Sequence, residues 1–375
     1  MRIRNIIIIA LLLVAAAGAA YLLSSSKATF RHSGGKEGGP LVASLPVNEV
    51  ASIEIKSAKY SALLHKTGEQ WTVADRSDFP ANFTSIANLL LQIKEAKIMR
   101  EIDGTTGAIS RLALKDLGEA GARDDEKAVR VELKDRKGAA LATVLFGSGK
   151  KGRDTPRIVG WYVRLPNDPK IYEIEGEFHL AGGDPANWLD RIIVNVPPEQ
   201  VRRIRCTESN GGKLVYEFER KVKGALLTPV GWEPPKKLAP DMLITISQAL
   251  SLLDKEDVYT RDNAPPLESG DFAYVFEYEA FDGLIYRVYP SARAPEDSKR
   301  PNFLRIEVTC APAAPEGASS GSEDCASRAR DLNQRITPWI YQVGLGQHFK
   351  FVTNPTLLLD RNVEADADQE NAEPQ

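Results

Sequence analysis

The chain has 375 residues, 43% of them hydrophobic and 26% charged, enough to bury cores for two or three domains and far from disordered, collagen-like or polytopic membrane compositions. Its 48 Lys and Arg against 51 Asp and Glu leave a formal net charge of −3. That balance excludes the global positive field of a dedicated nucleic-acid binder.

Arg2 and Arg4 open the chain, and Ile6 to Leu23 then runs without a charge, broken only by Ala, Gly and Tyr21. At about 1.5 Å per helical residue the run is about 27 Å long, close to the hydrocarbon thickness of about 30 Å. It predicts one transmembrane helix at residues 6–23, ending an anchor of residues 1–23, with everything beyond it exported. A cleaved secretory signal is the competing reading, because Ala17-Gly18-Ala19 supplies the small residues a peptidase needs. The apolar run continues past them to Leu23, which favours the anchor. Residues 24–45 begin with a Ser-, Gly- and Lys-rich stretch that reads as a flexible tether. Residues 361–375 are acidic with one base at their start and read as a disordered tail.

Between tether and tail the chain repeats itself. Val50-Ala51-Ser52-Ile53-Glu54-Ile55 recurs as Val201-Arg202-Arg203-Ile204-Arg205-Cys206, and the same offset lays Leu63-Leu64 on Leu214-Val215. Tyr162-Val163-Arg164-Leu165 resembles Phe303-Leu304-Arg305-Ile306, Asn187-Trp188-Leu189 resembles Pro338-Trp339-Ile340, and Trp71 answers to Trp232. Two tandem α+β repeats are expected, 46–198 and 199–360.

In the first repeat, 50–56, 61–66 and 71–74 read as short strands. A helix follows, capped by Asn82, with Ile86, Leu89, Leu90 and Ile93 on one stripe. Residues 129–134 alternate as a half-buried strand and pair with 141–146 through Lys137-Gly138, and 161–165 with 170–174 make another antiparallel pair. The second repeat offers a strand with Leu214, Tyr216 and Phe218 on one face. A helix from Asp241 turns Leu243, Ile246, Leu250 and Leu253 inward, and strands 272–280 and 284–289 surround Asp282-Gly283. Strands occur in runs, so the fold class is α+β, antiparallel strands packed on helices.

These residues resemble a known family. The basic start and span at 2–23, the strand Val50–Ile55, Gly68-Glu69-Gln70-Trp71-Thr72-Val73, the helix Ala87–Leu91, the pair Tyr162–Leu165 and Lys170–Ile174, and Trp188-Leu189-Asp190-Arg191 are similar to the bacterial domain-of-unknown-function family 4340. Its members carry one N-terminal span followed by one or two exported repeats. The resemblance implies a single-pass protein of the bacterial inner membrane with its bulk in the periplasm. It further implies an auxiliary role beside a transport complex of the ATP-binding-cassette type, including those of gliding motility, whose permease or auxiliary subunit would be the partner. It supplies no catalytic residues. One departure is the charged stretch Arg123-Asp124-Asp125-Glu126 after Leu114–Gly118, where the family has a Tyr-Gly-Leu and proline turn.

A search for chemistry is correspondingly thin. His32, His65, His179 and His348 have no partner His or Cys at ligand spacing, so neither metal nor cofactor is expected. Gly147–Gly152 lacks the spacing of a phosphate-binding loop and reads as a connection between strands. Asp124–Glu126 lack the grammar of a calcium loop and read as a solvated turn. Cys310 and Cys325 flank a segment rich in Ala, Pro, Gly and Ser and predict a disulfide in an oxidising compartment, while Cys206 lies in an apolar strand as a buried free thiol. Arg202, Arg203 and Arg205, with Lys221 and Lys223, form a possible anionic-ligand patch. Trp71, Trp188, Trp232 and Trp339 are expected to fill matching holes in the repeat cores. The leading expectation is a non-catalytic accessory or assembly protein. A periplasmic polysaccharide or cell-wall binding module is the alternative, and an exported hydrolase using His65 or His179 is a third reading.

Overall fold

The computed structural model describes residues 37–360 apart from 153–154, 179, 181–182, 232, 236, 269, 293–299 and 312–318, with backbone only for 319–323. The predicted span at 6–23, His32, His179, Trp232 and the acidic tail lie outside the described residues. Among those described, no helix is long and apolar enough to cross a membrane. The protein is mixed and strand-rich, with every strand pair within the sheets antiparallel, and it divides into two compact units at Asp190/Arg191.

The first unit contains β1 (Ser52–Lys56), β2 (Ser61–Thr67), β3 (Gln70–Val73), β4 (Phe79–Pro80), β5 (Ile98–Asp103), β6 (Val129–Lys134), β7 (Ala140–Lys151), β8 (Ile158–Arg164) and β9 (Lys170–Glu175). They form one sheet in the order β4-β3-β2-β1-β6-β7-β8-β9-β5. Strict alternation in β1, with Ile53 and Ile55 buried and Ser52, Glu54 and Lys56 on the other side, marks the face that carries the core. The helix Phe83–Glu95 leaves from β4 at one edge and delivers the chain to β5 at the other. Asn82 starts it, its Oδ1 accepting the Ser85 N–H at 3.0 Å, and the predicted stripe Ile86, Leu89, Leu90 and Ile93 is buried.

The second unit contains β10 (Ile192–Val194), β11 (Val201–Glu208), β12 (Leu214–Glu219), β13 (Thr228–Pro229), β14 (Leu253–Asp254), β15 (Asp257–Thr260), β16 (Tyr274–Ala280), β17 (Leu284–Pro290), β18 (Asn302–Cys310) and β19 (Trp339–Val343). Its large sheet runs β13-β12-β11-β16-β17-β18-β19-β15, the order of the first unit with a counterpart for every strand but β4. The small β10-β14 pair stands apart from it.

Register corrects the sequence alignment in three places. Ile53 lies opposite Leu64 and Leu133, and Ile204 lies opposite Phe218 and Tyr278. Leu64 therefore corresponds to Phe218, not to Val215, because β12 is displaced along β11 and a bulge follows Cys206. Leu214 is consequently exposed rather than on the face of Tyr216 and Phe218. Arg164 and Arg305 do correspond, since their neighbours Val163 and Leu304 lie opposite Tyr172 and Tyr341. That same register puts Trp339 in the place of Lys170. The counterpart of Trp188 is Leu358: the turns Pro185–Trp188 and Pro355–Leu358 are capped by Asp184 and Asn354, and the Trp188 and Leu358 carbonyls accept the Asn82 and Ala239 N–H groups at 2.7 and 2.8 Å.

Two further expectations change. The second helix stops at Ser247, so Leu250 and Leu253 are buried beyond it, Leu253 in β14. Gly147–Lys151 continue β7 instead of forming a connection, and a Cβ at Gly147 would stand 2.2 Å from the Leu112 carbonyl oxygen.

Where the first unit turns through Leu165–Pro169, the second inserts the helix Ser319–Ile336 between β18 and β19. Cys310 and Cys325 are disulfide-bonded, tying the end of β18 to that helix. Beyond Leu304 β19 no longer accompanies β18, and the Asn333 side chain takes its place by accepting the Val308 N–H at 2.7 Å. The bridge closes 15 residues. Reduction is expected to lower the unfolding free energy of the second unit by about 3 kcal/mol and leave the first unchanged, as unit-specific hydrogen exchange with and without reductant would show.

Candidate functional site

A concavity of about 810 Å³ in the first unit lies beside the helix Phe83–Glu95. The helix contributes Ser85, Asn88, Leu89 and Gln92, β8 contributes Trp161, and the chain after β9 contributes Glu177, Phe178, Leu180, Asn187 and Trp188. Gly183 sets that last segment: its φ of +81° and a would-be Cβ only 3.0 Å from the Ile55 carbonyl oxygen admit little else, and the turn bearing Trp188 follows directly. Gln92 Nε2 donates to the Glu177 carbonyl at 2.8 Å, locking helix to wall. Phe146 supports the aromatics from beneath, 6.3 Å from Trp161 in an edge-on contact and 5.1 Å from Phe178.

Two features set the chemistry of this cleft. Among the described residues its only titratable lining residue is Glu177, whose carboxylate is paired with Arg157. Its polar surface is thus made of neutral hydroxyl and amide groups. The second feature is a pair of orphaned donors: Trp188 is 2% exposed, and neither its Nε1 nor that of Trp161 has a partner among the described residues. A covered donor without an acceptor costs about 1–3 kcal/mol.

The second unit does not reproduce the cleft. Leu357 and Leu358 replace Asn187 and Trp188, Asn302 stands at the register position of Trp161, and counting from Ala239 puts Ala249 where Gln92 would be. Its own cavity is about 240 Å³ and includes His348, a buried histidine whose Nε2 lies 2.9 Å from the Ser291 carbonyl oxygen.

The other sequence candidates disperse. Arg202, Arg203 and Arg205 are not a free cationic patch, because each lies between glutamates on flanking strands. Arg202 reaches Glu219 and Glu279 at 3.2 and 3.1 Å, Arg203 reaches Glu217 and Glu219 at 3.3 Å, and Arg205 reaches Glu217 at 2.8 Å. Arg287 and Glu277 extend the ladder at 2.7 Å. Lys221 and Lys223 lie beyond it, in the turn after β12. His65 meets Asp78 at 3.1 Å on the sheet surface and does not line the first-unit cleft. Asp124, Asp125 and Glu126 pair with Lys127, Arg123 and Lys115. No group of His, Cys, Asp and Glu among the described residues could hold a metal ion. Cys206 is free and buried, and burial, with Glu208 nearby, pushes its thiol up to about 12, so it is not a nucleophile at neutral pH. Trp71 is buried on β3, and its register counterpart is Leu227.

Fold and site together define a non-repeated cleft on one of two copies of an antiparallel α+β scaffold. A family model described as a domain of unknown function, DUF4340, matches residues 71–267, more than half of the chain, and the protein belongs to that family. No curated protein and no solved structure matches it.

The ladder fixes an acid limit. Burial alone would raise the Glu219 carboxyl, but Arg202 and Arg203 hold it below the ordinary 4.5, and Lys56 and Lys134 do the same against burial for Glu54 in the first unit. A depressed carboxyl stabilises the fold above its unfolded value, and that contribution is lost as pH falls through the folded one. The contributions of Glu219 and Glu54 should be present above about pH 4.5 and be lost as pH falls below it. Glu219→Gln should flatten the acid limb for the second unit alone, measured by denaturant titration across pH.

Proposed function

We propose that the chain is a non-catalytic, membrane-anchored accessory protein of the bacterial cell envelope, tethered by the span read at residues 6–23, with its two units in the periplasm beside a transport complex of the ATP-binding-cassette type. The first-unit cleft is its recognition site. The observation that carries this reading is the contrast between copies: one scaffold occurs twice, yet only the first places Trp188, Trp161, Asn187 and Gln92 around a cleft, where the second has Leu358, Asn302, Leu357 and Ala249. Duplication accounts for the scaffold and not for the cleft.

A second reading is favoured by the lining itself. Aromatic rings beside neutral amides suit an uncharged, hydroxyl-rich ligand, whose hydroxyl oxygens accept from donors such as the two indole N–H groups. On that reading the cleft binds an envelope polysaccharide.

Photo-cross-linking in intact cells from a reactive residue placed at Asn88 tests the accessory role, with a membrane-protein adduct expected and its absence overturning the role. Glycan binding by the purified full chain tests the second reading. Trp161→Ala should weaken such binding at least about tenfold, about 1.4 kcal/mol. Trp188→Phe removes an unmatched donor but also shrinks a buried ring, two effects of opposite sign, so it should weaken binding while changing stability by less than about 1 kcal/mol. Equal binding by wild type and both variants would remove the cleft from the reading.

A further inference from the structure

Between β12 and β13 the second unit makes an excursion, Arg220–Leu227, where the first turns through Gly68-Glu69 alone. It holds three cations, Arg220, Lys221 and Lys223, and no acid. None of the three makes a salt bridge among the described residues, in contrast with Arg202, Arg203 and Arg205 next door, and the one carboxylate bearing on Arg220 is Glu199. Arg220 is only 8% exposed, and its Nε has no hydrogen-bond partner. Burial outweighs the opposing charge of Glu199 at this guanidinium, so an anion at the unpartnered Nε would relieve it.

The same excursion has an apolar side. Leu226 is 88% exposed and Val222 63%, and Leu226 is the most exposed large hydrophobic side chain among the described residues. Lys223 Nζ lies 6.0 Å above the Phe281 ring, so the cations and the apolar groups share one end of the sheet. A free anion would satisfy Arg220 and leave Leu226 and Val222 in water. A protein groove would cover the aliphatics but would have to supply several carboxylates as well. A bilayer of anionic phospholipid answers both demands, with phosphate at the depth of the cations and acyl chains just below.

We propose that Arg220–Leu227 docks the second unit on an anionic phospholipid surface, with a headgroup phosphate at Arg220, Lys221 and Lys223 beside it, and Val222 and Leu226 set into the boundary between headgroups and acyl chains. This is independent of what the first-unit cleft binds.

The test uses the full chain in nanodiscs, with a polarity-sensitive fluorophore on V222C; Cys206 is buried and Cys310 and Cys325 are bridged, so the introduced thiol takes the label. Emission should shift to the blue when phosphatidylglycerol is mixed into phosphatidylcholine, and return as salt is raised. Lys221→Gln and Lys223→Gln, both at exposed positions, should each weaken the anionic-lipid response about fivefold. Identical emission in the two lipid compositions overturns the proposal. So does a response that survives both lysine substitutions, or a shift produced by inorganic phosphate in phosphatidylcholine discs, which would mark a free-anion site instead.

Discussion

In the first unit the helix Phe83–Glu95 begins at one edge strand of a nine-stranded sheet and ends at the strand on the opposite edge. A chain built this way must carry the helix across the sheet, and the face it crosses becomes the core. Everything inward follows: Ile53 and Ile55 are buried, as is the stripe of Ile86, Leu89, Leu90 and Ile93, and the amide of Gln92 reaches the segment after β9. The second unit obeys the same rule with a shorter helix, Pro240–Ser247, and Ala239 in the capping place of Asn82. In both, the residue that starts the helix is tied to the carbonyl of the residue closing the unit's last turn, Trp188 or Leu358. One hydrogen bond thus joins the beginning of the crossing to the end of the unit.

The outward faces follow a different rule. β11 presents three arginines to four glutamates on β12 and β16, and β1 with β6 presents Glu54 and Glu132 to Lys56, Lys134 and Arg130. Exposed pairs of this kind contribute little singly, about 0–1 kcal/mol. Their larger effect is to set strand register, since a slip would bring like charges together. They also neutralise the surface locally, which is why a cation-rich strand in the sequence is not an anion site in the fold.

Strands and the first helix were readable because their periods are local. Ile53-Glu54-Ile55 alternates, and Ile86 to Ile93 follows 3.6 residues per turn. The helix Ser319–Ile336 escaped because its inward stripe, Cys325, Ala329, Leu332 and Ile336, opens on small residues and is thin within a run of Ser, Arg and Asp. The repeat was visible, but its registration was not. Tryptophans at equal offsets are a persuasive coincidence, whereas the structural partner of Trp188 is a leucine reached only after the inserted helix is counted. The cleft was hidden for a related reason: Ser85, Asn88 and Gln92 are the polar flank of a helix, Trp161 reads as strand, and only tertiary folding joins them to Asn187 and Trp188.

Both departures of the second unit, the excursion Arg220–Leu227 and the helix Ser319–Ile336, are lengthened links between neighbouring antiparallel strands. Closing a longer link costs entropy only logarithmically, about 0.6 kcal/mol for each doubling. The edge-to-edge crossing has no such freedom, because its length is tied to the width of the sheet. A scaffold of this kind can therefore accept new surface elements at its hairpin ends while its interior stays fixed, and two copies in one chain can be fitted to different surroundings without either being refolded.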